Sequence, residues 1–224
     1  MKIIIFGATG MVGQGVLREC LLSQDVERVL AVGRGKTDQK HEKLRELVHT
    51  DLFALSTIEG DLAGHDACLF CLGVSSAGMS EQAYTRVSYD LTMAVGQVLA
   101  KLNPSMTFVY VSGMGTDSTE RGRTMWARVK GRTENALLKL PFKHAYMFRP
   151  GFIQPMHGIV SRTRIYWILY AVVGPLYPLW RVLFPGYVST TEKVGRAMIQ
   201  AARRGAPKPV LENADINALA GGAR

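Results

Sequence analysis

Residues 2–13 read KIIIFGATGMVG, and this stretch decides the fold of the 224-residue chain. Its first five residues form a continuous β-prone run, which predicts a fully buried strand. Gly7, Gly10 and Gly13 follow with the spacing GxxGxxG and open a segment, residues 11–22, that has apolar side chains at helical intervals. A glycine-rich turn that leads from a buried strand into a helix is typical of a dinucleotide-binding site.

Each glycine of this turn has its own steric role. Gly7 permits the tight turn, Gly10 lets the backbone approach a pyrophosphate, and Gly13 lets the helix pack closely on the strand. The first N–H groups of the helix and its dipole then favour a bound phosphate. The predicted phosphate-binding residues are Gly7, Thr9, Gly10, Met11, Val12 and Gly13.

Beyond the turn, strand-like and helix-like segments alternate as far as residue 150. Further strands are predicted at residues 28–32, 47–49, 67–72, 106–111 and 144–148. Further helices are predicted at residues 42–47, 81–102 and 125–140, the last two ended by prolines. Strands that alternate with helices predict an α/β fold with a doubly wound parallel sheet and right-handed crossovers.

The pattern changes after residue 150. Residues 159–184 are apolar and aromatic, residues 190–203 predict an amphipathic helix, residues 211–216 an ordered tail and residues 218–224 a frayed end. We therefore divide the chain into a nucleotide-binding core, 1–150, and a smaller C-terminal lobe, 151–224, that packs on the core within one structural domain.

The composition is that of an ordinary folded protein. The chain is 47% hydrophobic and 20% charged, which argues against disorder. Its three cysteines are too few for a disulfide framework, and the first residues contain too short an apolar run for a signal peptide. These observations predict a cytoplasmic protein.

Charge is distributed unevenly along the chain. Residues 1–120 contain 10 basic and 14 acidic residues, whereas residues 121–224 contain 17 basic and 4 acidic ones. This asymmetry indicates that the second part meets something anionic: a ligand with phosphates, a membrane surface or nucleic acid. We do not expect nucleic acid as a partner, because the basic cluster around residue 130 has neither a stacking platform for bases nor a recognised motif.

The residues after the second predicted strand indicate the cofactor. An NAD-specific site has an acidic side chain there, which binds the ribose hydroxyls. This sequence has Arg34 instead, whose guanidinium suits a 2′-phosphate, with Lys36 as a second cation. The sequence therefore predicts NADP(H) in preference to NAD(H), with a solvated loop arginine as the alternative.

Several segments resemble the short-chain dehydrogenase/reductases, in their atypical, extended-like branch, and are most similar to proteins described as NAD-dependent epimerase/dehydratase-like or NAD(P)-binding. Gly7–Gly13 is similar to the family signature GATGxxG, and residues 190–197 resemble a later helix that packs on the core. The resemblance implies a Rossmann-type sheet with a small, mostly helical C-terminal lobe. It also implies cofactor contacts from Asp51 and Leu52 at the adenine, from Cys71, Leu72 and Gly73 after the fourth strand, and from Pro150, Gly151, Phe152 and Ile153 beside the nicotinamide.

The same resemblance implies the catalytic residues, and it fails at one position. Ser112 corresponds to the serine that polarises a substrate carbonyl, and Lys130 to the lysine that binds the nicotinamide ribose and lowers the pKa of a tyrosine four residues earlier. That tyrosine is replaced here by Trp126. Because the indole N–H only donates hydrogen bonds, Trp126 cannot act as a general acid or base near neutral pH.

Three explanations of this replacement stay open. Another tyrosine takes over, the candidates being Tyr84, Tyr166, Tyr170 and Tyr177. Alternatively, the substrate or a water molecule supplies the proton, or the protein binds NADP(H) without turnover. We therefore expect an oxidoreductase or epimerase-like enzyme for a small carbonyl or hydroxyl compound, lipophilic or anionic, with a non-catalytic NADP(H)-binding regulator or scaffold as the alternative.

Residues 165–184 form the most apolar stretch, with a single charge, Arg181. The stretch is long enough for a transmembrane helix, but three helix-breaking residues interrupt it. We interpret it as a lid over an apolar pocket or a dimer contact, with peripheral membrane contact through residues 159–184 as the alternative. No metal site is expected, because the histidines are scattered and the strand geometry places Cys68 and Cys71 on opposite faces.

Overall fold

The computed structural model describes residues 1–160, 180 and 183–222. The strands are β1 Lys2–Phe6, β2 Arg28–Gly33, β3 Leu44–Val48, β4 Ala67–Phe70, β5 Thr107–Val111, β6 His144–Arg149, β7 Phe152–Gln154, β8 Val188–Thr190 and β9 Val210–Glu212. The helices are α1 Met11–Leu22, α2 Glu59–Leu62, α3 Glu81–Thr85, α4 Leu91–Leu102, α5 Met125–Leu137, α6 Thr191–Arg204 and α7 Asn213–Gly221. A 3₁₀ turn, Ser56–Ile58, precedes α2, and a π-helical turn, Arg86–Asp90, joins α3 to α4.

Seven of these strands form one parallel sheet in the order β3-β2-β1-β4-β5-β6-β9. The side chains of β1 show how the sheet is buried on both faces. Ile3 and Ile5 belong to the apolar cluster that includes α1 and α6, whereas Ile4 and Phe6 belong to the cluster that includes α4 and the end of α5. Helices on both faces of a parallel sheet make this a Rossmann-type fold, as predicted.

The structure corrects one element of the nucleotide-binding core. Residues 42–47, predicted as a helix, instead contribute most of β3, which pairs with β2 from Val29 opposite Leu44 to Gly33 opposite Val48. The predicted third strand, 47–49, therefore begins three residues earlier. The short apolar pattern was compatible with either structure, and pairing with the backbone of β2 decides in favour of the strand.

The predicted helix at residues 81–102 has the expected limits but is not regular. Its middle turn, Arg86–Asp90, has π-helical hydrogen bonding. Such turns insert one extra residue and occur frequently at functional sites. The insertion changes which side chains of this segment face α5, and sequence periodicity alone does not reveal it.

One strand from the chain after residue 150, β9, joins the same sheet, whereas β7 and β8 form a separate two-stranded parallel sheet. β9 pairs with β6, from Met147 opposite Val210 to Arg149 opposite Glu212. The predicted helix at residues 190–203 is α6, which packs along α1. Of residues 218–224, predicted to fray, 218–221 belong to α7, so the prediction is wrong for these residues, and 223–224 lie outside the described residues.

Glycines allow α1 and α6 to approach closely. A Cβ atom at Gly15 would lie 2.5 Å from the Thr191 side chain, and one at Gly195 would lie 2.9 Å from Glu19. Within the described part of the chain, no helix is long and apolar enough to cross a membrane. Most of the apolar stretch 165–184 lies outside the described residues, so its interpretation as a lid or contact surface remains a prediction.

Candidate functional site

A cleft of about 370 Å³ opens at the carboxyl ends of β1 and β2. In open parallel sheets this edge is where ligands bind. The cleft is lined by Gly7, Ala8, Thr9, Ala31, Val32, Gly33, Arg34, Gly35, Thr37, Leu52 and Leu72. The structure thus brings together the glycine-rich turn and the residues after β2. Of the other predicted cofactor contacts, Leu52 and Leu72 also line the cleft.

The glycine-rich turn is tightly fixed by its own backbone. Gly7 has φ +83°, and a Cβ atom there would lie 2.7 Å from the backbone of Cys71 and Leu72. A Cβ atom at Gly13 would lie 2.0 Å from the Gly7 carbonyl oxygen, which itself accepts a hydrogen bond from the Gly10 N–H at 3.0 Å. A side chain at Gly7 or Gly13 would therefore force the turn to change shape.

Donors for a phosphate lie at the start of α1. The N-cap residue is Gly10, which has no side chain to satisfy the first N–H groups of the helix. The first backbone hydrogen bond of helix α1 is donated by the Gln14 N–H to the Gly10 carbonyl oxygen at 2.8 Å. The amides of Met11, Val12 and Gly13 are therefore suitable donors for a pyrophosphate, with the positive end of the helix dipole behind them.

Arg34 stands at the rim of the cleft. Its side chain is exposed, and within the described part of the chain it forms no ion pair. Lys36 is also exposed but does not line the cleft. Leu52 is buried in the cleft wall, whereas the carboxylate of Asp51 accepts a hydrogen bond from the Phe53 N–H at 3.0 Å and so stabilises its own turn.

Lys130 is buried beside the end of β5, close to the segment that follows β4. Its ammonium group lies 4.8 Å from the Tyr110 ring centroid and donates a hydrogen bond to the Val111 carbonyl at 3.3 Å. A Cβ atom at Gly73 would lie 3.9 Å from the same nitrogen. Burial lowers the pKa of Lys130, and nearby Tyr84 and Glu134 partly offset this change. The amine is thus next to the strand end that the resemblance places beside the cofactor.

The Ser112 hydroxyl points at a carboxylate rather than into open space. It lies 2.5 Å from Glu134 Oε1 and 3.0 Å from the Phe148 carbonyl, and both of these atoms are acceptors. A hydroxyl has one proton to donate. In this arrangement Ser112 can donate a hydrogen bond to a substrate carbonyl only after its contact with Glu134 breaks.

The sequence alone does not indicate that Glu134 and Arg149 form a pair at the site. Glu134 is fully buried on α5 and receives bonds from Arg149 at both carboxylate oxygens. Arg149 also bonds Glu212 at 3.2 Å and donates to Ser118. The paired carboxylate raises the pKa of Arg149. This ion pair joins α5 to the ends of β6 and β9, and its members lie too far apart in sequence to be recognised as partners.

Trp126 packs on the loop that follows β5. Its ring lies 3.6 Å from the position that a Cβ atom of Gly115 would occupy. It is half-buried and precedes Lys130 by one helical turn. The structure thus places an indole where the resemblance would place a phenol, and it supplies no titratable group at that point.

The segment after β6 is held from two sides. The Pro150 carbonyl accepts a bond from the Met114 N–H at 2.9 Å, and the Gly151 N–H donates to Asn213 Oδ1 at 2.9 Å. A Cβ atom at Gly151 would lie 2.2 Å from the Tyr187 carbonyl. Phe152 and Ile153 continue as β7, which pairs with β8. This segment does not line the 370 Å³ cleft.

The cysteines have no feature of a redox site. Burial raises the pKa of the Cys71 thiol to about 12 and also raises that of Cys68. A thiol that stays protonated is a poor nucleophile. Among the described residues, no group of three or more histidine, cysteine and carboxylate side chains is placed to hold a metal ion.

Comparison with known proteins identifies the sequence family. The model of the NAD dependent epimerase/dehydratase family matches residues 3–130. The chain is 27% identical to the protein fmp52-2, mitochondrial, of Aspergillus terreus over 89% of this chain and 85% of that protein. It is also 27% identical to the protein HTATIP2 of Rattus norvegicus over 68% of this chain and 62% of that protein.

The fold comparison agrees with the parallel sheet described above. The Bordetella bronchiseptica enzyme WbmF, solved in complex with NAD⁺, superposes with a TM-score of 0.64 at 14% identity, over 99% of this chain and 77% of that enzyme. The expectation of a cytoplasmic location is corrected by the sequence relatives. Three similar fungal proteins carry mitochondrial names.

Proposed function

The chain belongs to the NAD dependent epimerase/dehydratase family, and we propose that it is an NADP(H)-dependent oxidoreductase or epimerase-like enzyme for a small, lipophilic carbonyl or hydroxyl compound. The observation that carries the cofactor choice is Arg34, an exposed guanidinium without an ion pair in the described part of the chain, at the rim of the cleft. A planar guanidinium can bind the 2′-phosphate of NADP(H) in a bidentate manner. NAD(H) lacks this phosphate.

The residues of the site have separate roles in this proposal. The turn Gly7–Gly13 and the start of α1 bind the pyrophosphate, and Leu52 packs on the adenine. Lys130 binds the nicotinamide ribose, since its amine lies beside Gly73. When bound, the cofactor supplies or accepts the hydride, and the protein must orient the substrate and move a proton at the carbonyl oxygen.

Substitution of Arg34 by serine tests the cofactor choice. We expect NADPH affinity to fall about 10- to 100-fold, because a hydrogen-bonded charge pair contributes about 1.5–3 kcal/mol. NADH affinity should change less than about threefold, since no 2′-phosphate is lost. Calorimetric titration measures both, with Arg204→Ser, an exposed arginine in the last turn of α6, as the matched control. Equal losses for NADPH and NADH would contradict the role given to Arg34.

A non-catalytic regulator or scaffold that binds NADP(H) is the second candidate. Two observations favour it: Trp126 supplies no acid, and the Ser112 proton is directed at Glu134. The two candidates differ in whether the protein consumes bound NADPH with a panel of carbonyl compounds. Tight NADPH binding without consumption of NADPH would support the regulator or scaffold.

Peripheral membrane contact through residues 159–184 stays a proposal. Its support in the described residues is a set of exposed apolar side chains on either side of the undescribed part: Val160, Leu183, Phe184 and Tyr187. We expect the protein to sediment with liposomes that contain anionic phospholipid at low salt, and to be released as salt is raised. Absence of sedimentation at low salt would eliminate this contact.

A further inference from the structure

The loop that carries Arg34 is anchored to the rest of the protein at one residue. Residues 34–40 follow β2, and all of them except Thr37 are exposed. The Thr37 N–H and the Thr37 hydroxyl both donate hydrogen bonds to Glu46 Oε1, at 2.5 Å and 2.7 Å. Among the described residues, no other hydrogen bond or ion pair joins residues 34–40 to another element. The contact between Thr37 and Glu46 therefore sets the position of the loop.

Packing alone does not hold this loop in place. Thr37 lines the cofactor cleft and also a second cleft of about 280 Å³, which shares Ala8 and Thr9 with the first. The loop thus has open space on two sides. A Cβ atom at Gly35 would have no neighbour within 4 Å, and glycine restricts the backbone less than any other residue. The direction in which Arg34 points therefore depends on the anchor at Thr37, three residues later.

Glu46 reaches the loop from the neighbouring strand. It lies on β3 opposite Ala31 of β2, and Ala31 lines the cofactor cleft. The Glu46 side chain forms no ion pair within the described part of the chain, and the two hydrogen bonds that it accepts both come from Thr37. A carboxylate accepts stronger hydrogen bonds than a neutral oxygen does. Glu46 is thus suited to hold the loop at the rim of the cleft.

We propose that Glu46 is a positioning residue for NADP(H) selectivity: by fixing Thr37, it keeps Arg34 where the guanidinium meets the 2′-phosphate. This inference rests on the proposed NADP(H)-dependent function. A loop that is ordered before the cofactor arrives avoids a conformational cost that would otherwise oppose binding. NADH lacks the 2′-phosphate and gains nothing from the position of Arg34. Glu46 therefore acts on the discrimination between the two dinucleotides.

Calorimetric titration with NADPH and NADH tests this role. Glu46→Leu removes both acceptor oxygens, so NADPH affinity should fall about 10-fold while NADH affinity changes less than about threefold. Glu46→Gln keeps an acceptor oxygen for Thr37 and should retain NADPH affinity within about threefold. Glu42→Leu is the matched control, because the Glu42 carboxylate is exposed and has no partner among the described residues. It should bind both dinucleotides as the wild-type chain does.

A double variant shows whether Glu46 acts through Arg34. In the Arg34→Ser background no guanidinium is left to position, so adding Glu46→Leu should weaken NADPH binding by less than about threefold. A further loss of about 10-fold in that background, equal losses for NADPH and NADH in Glu46→Leu, or unchanged NADPH affinity in Glu46→Leu would overturn the inference while the proposed function stands. If the wild-type chain does not prefer NADPH to NADH, the proposed NADP(H) dependence fails and the inference fails with it.

Limited proteolysis tests the anchoring of the loop without any cofactor. Trypsin cleaves after lysine and arginine, and the loop contains Arg34, Lys36 and Lys40. Cleavage at these residues should be at least about fivefold faster in Glu46→Leu than in the wild-type chain, because the loop opens more often. Glu46→Gln and Glu42→Leu should be cleaved at the wild-type rate. Equal cleavage rates in Glu46→Leu and the wild-type chain would show that Glu46 does not hold the loop, and would overturn the inference.

Discussion

Replacement of Arg149 by methionine is expected to lower the free energy of unfolding by about 3–5 kcal/mol. Arg149 is the ion-pair partner of the Glu134 carboxylate, whose side chain is only 1% exposed. Without the guanidinium, this carboxylate would stay buried and unpaired, or would have to take up a proton. The connection between α5, β6 and β9 would be lost at the same time, so the segment that carries Lys130 would also loosen.

Urea unfolding measures this loss of free energy of unfolding, and two further variants serve as comparisons. Arg45→Met removes an exposed partner of Asp61 and should cost no more than about 1 kcal/mol. The double variant Arg149→Met with Glu134→Leu removes both charges and should be more stable than Arg149→Met alone. A loss in Arg149→Met no larger than that in Arg45→Met would show that the buried pair does not contribute as described.

The second large effect is expected at Gly13. An alanine there would place its Cβ atom 2.0 Å from the Gly7 carbonyl oxygen, and this neighbour is backbone that cannot rotate away. The turn would have to open, and the first amides of α1 would no longer converge on the pyrophosphate. We expect Gly13→Ala to lower NADPH affinity at least about 100-fold, a loss of about 2.7 kcal/mol.

Gly60 provides the matched control for this substitution. It lies in α2, and a Cβ atom there would have no neighbour within 4 Å. Gly60→Ala should therefore bind NADPH with wild-type affinity, and far-ultraviolet circular dichroism should show that both variants keep their secondary structure. A folded Gly13→Ala protein with unchanged NADPH affinity would mean that the turn does not bind the pyrophosphate.

Local patterns were sufficient to predict the parts of the fold and site that depend on neighbouring residues. The strand before Gly7, the spacing of the three glycines and the start of α5 are each encoded within about ten residues, and the structure shows each of them. The local pattern at residues 42–47 predicts a helix, whereas pairing with β2, which is distant in sequence, makes most of this segment a strand, β3. The π-helical turn before Leu91 also escaped prediction, since no periodicity indicates one inserted residue.

The interactions around Ser112 and Lys130 depend on the tertiary fold, and the sequence could not show them. Ser112 meets Glu134 because β5 ends beside α5, and for the same reason the Lys130 ammonium reaches the Val111 carbonyl. The position of Trp126 was readable from the motif. The sequence does not show the chemical consequence of this replacement, because that depends on which other side chains the fold brings near the Lys130 amine.

The uneven charge also has a clearer physical explanation in the structure. Arg128 bonds Glu81, Arg132 lies on the Tyr89 ring, and Lys130 is buried. Much of the basic cluster on α5 therefore has partners inside the protein. Arg34, which lies in the acidic part of the sequence, is the cation left at the cleft rim without an ion pair in the described residues.

Calorimetric titration of the wild-type chain with NADPH and NADH tests dinucleotide binding at this cleft most directly. The expected result is saturable binding of NADPH at one site, about tenfold or more tighter than that of NADH, and loss of the NADPH signal in Gly13→Ala. A folded wild-type protein that binds neither dinucleotide would contradict the assignment of the Gly7–Gly13 turn and Arg34 to a cofactor.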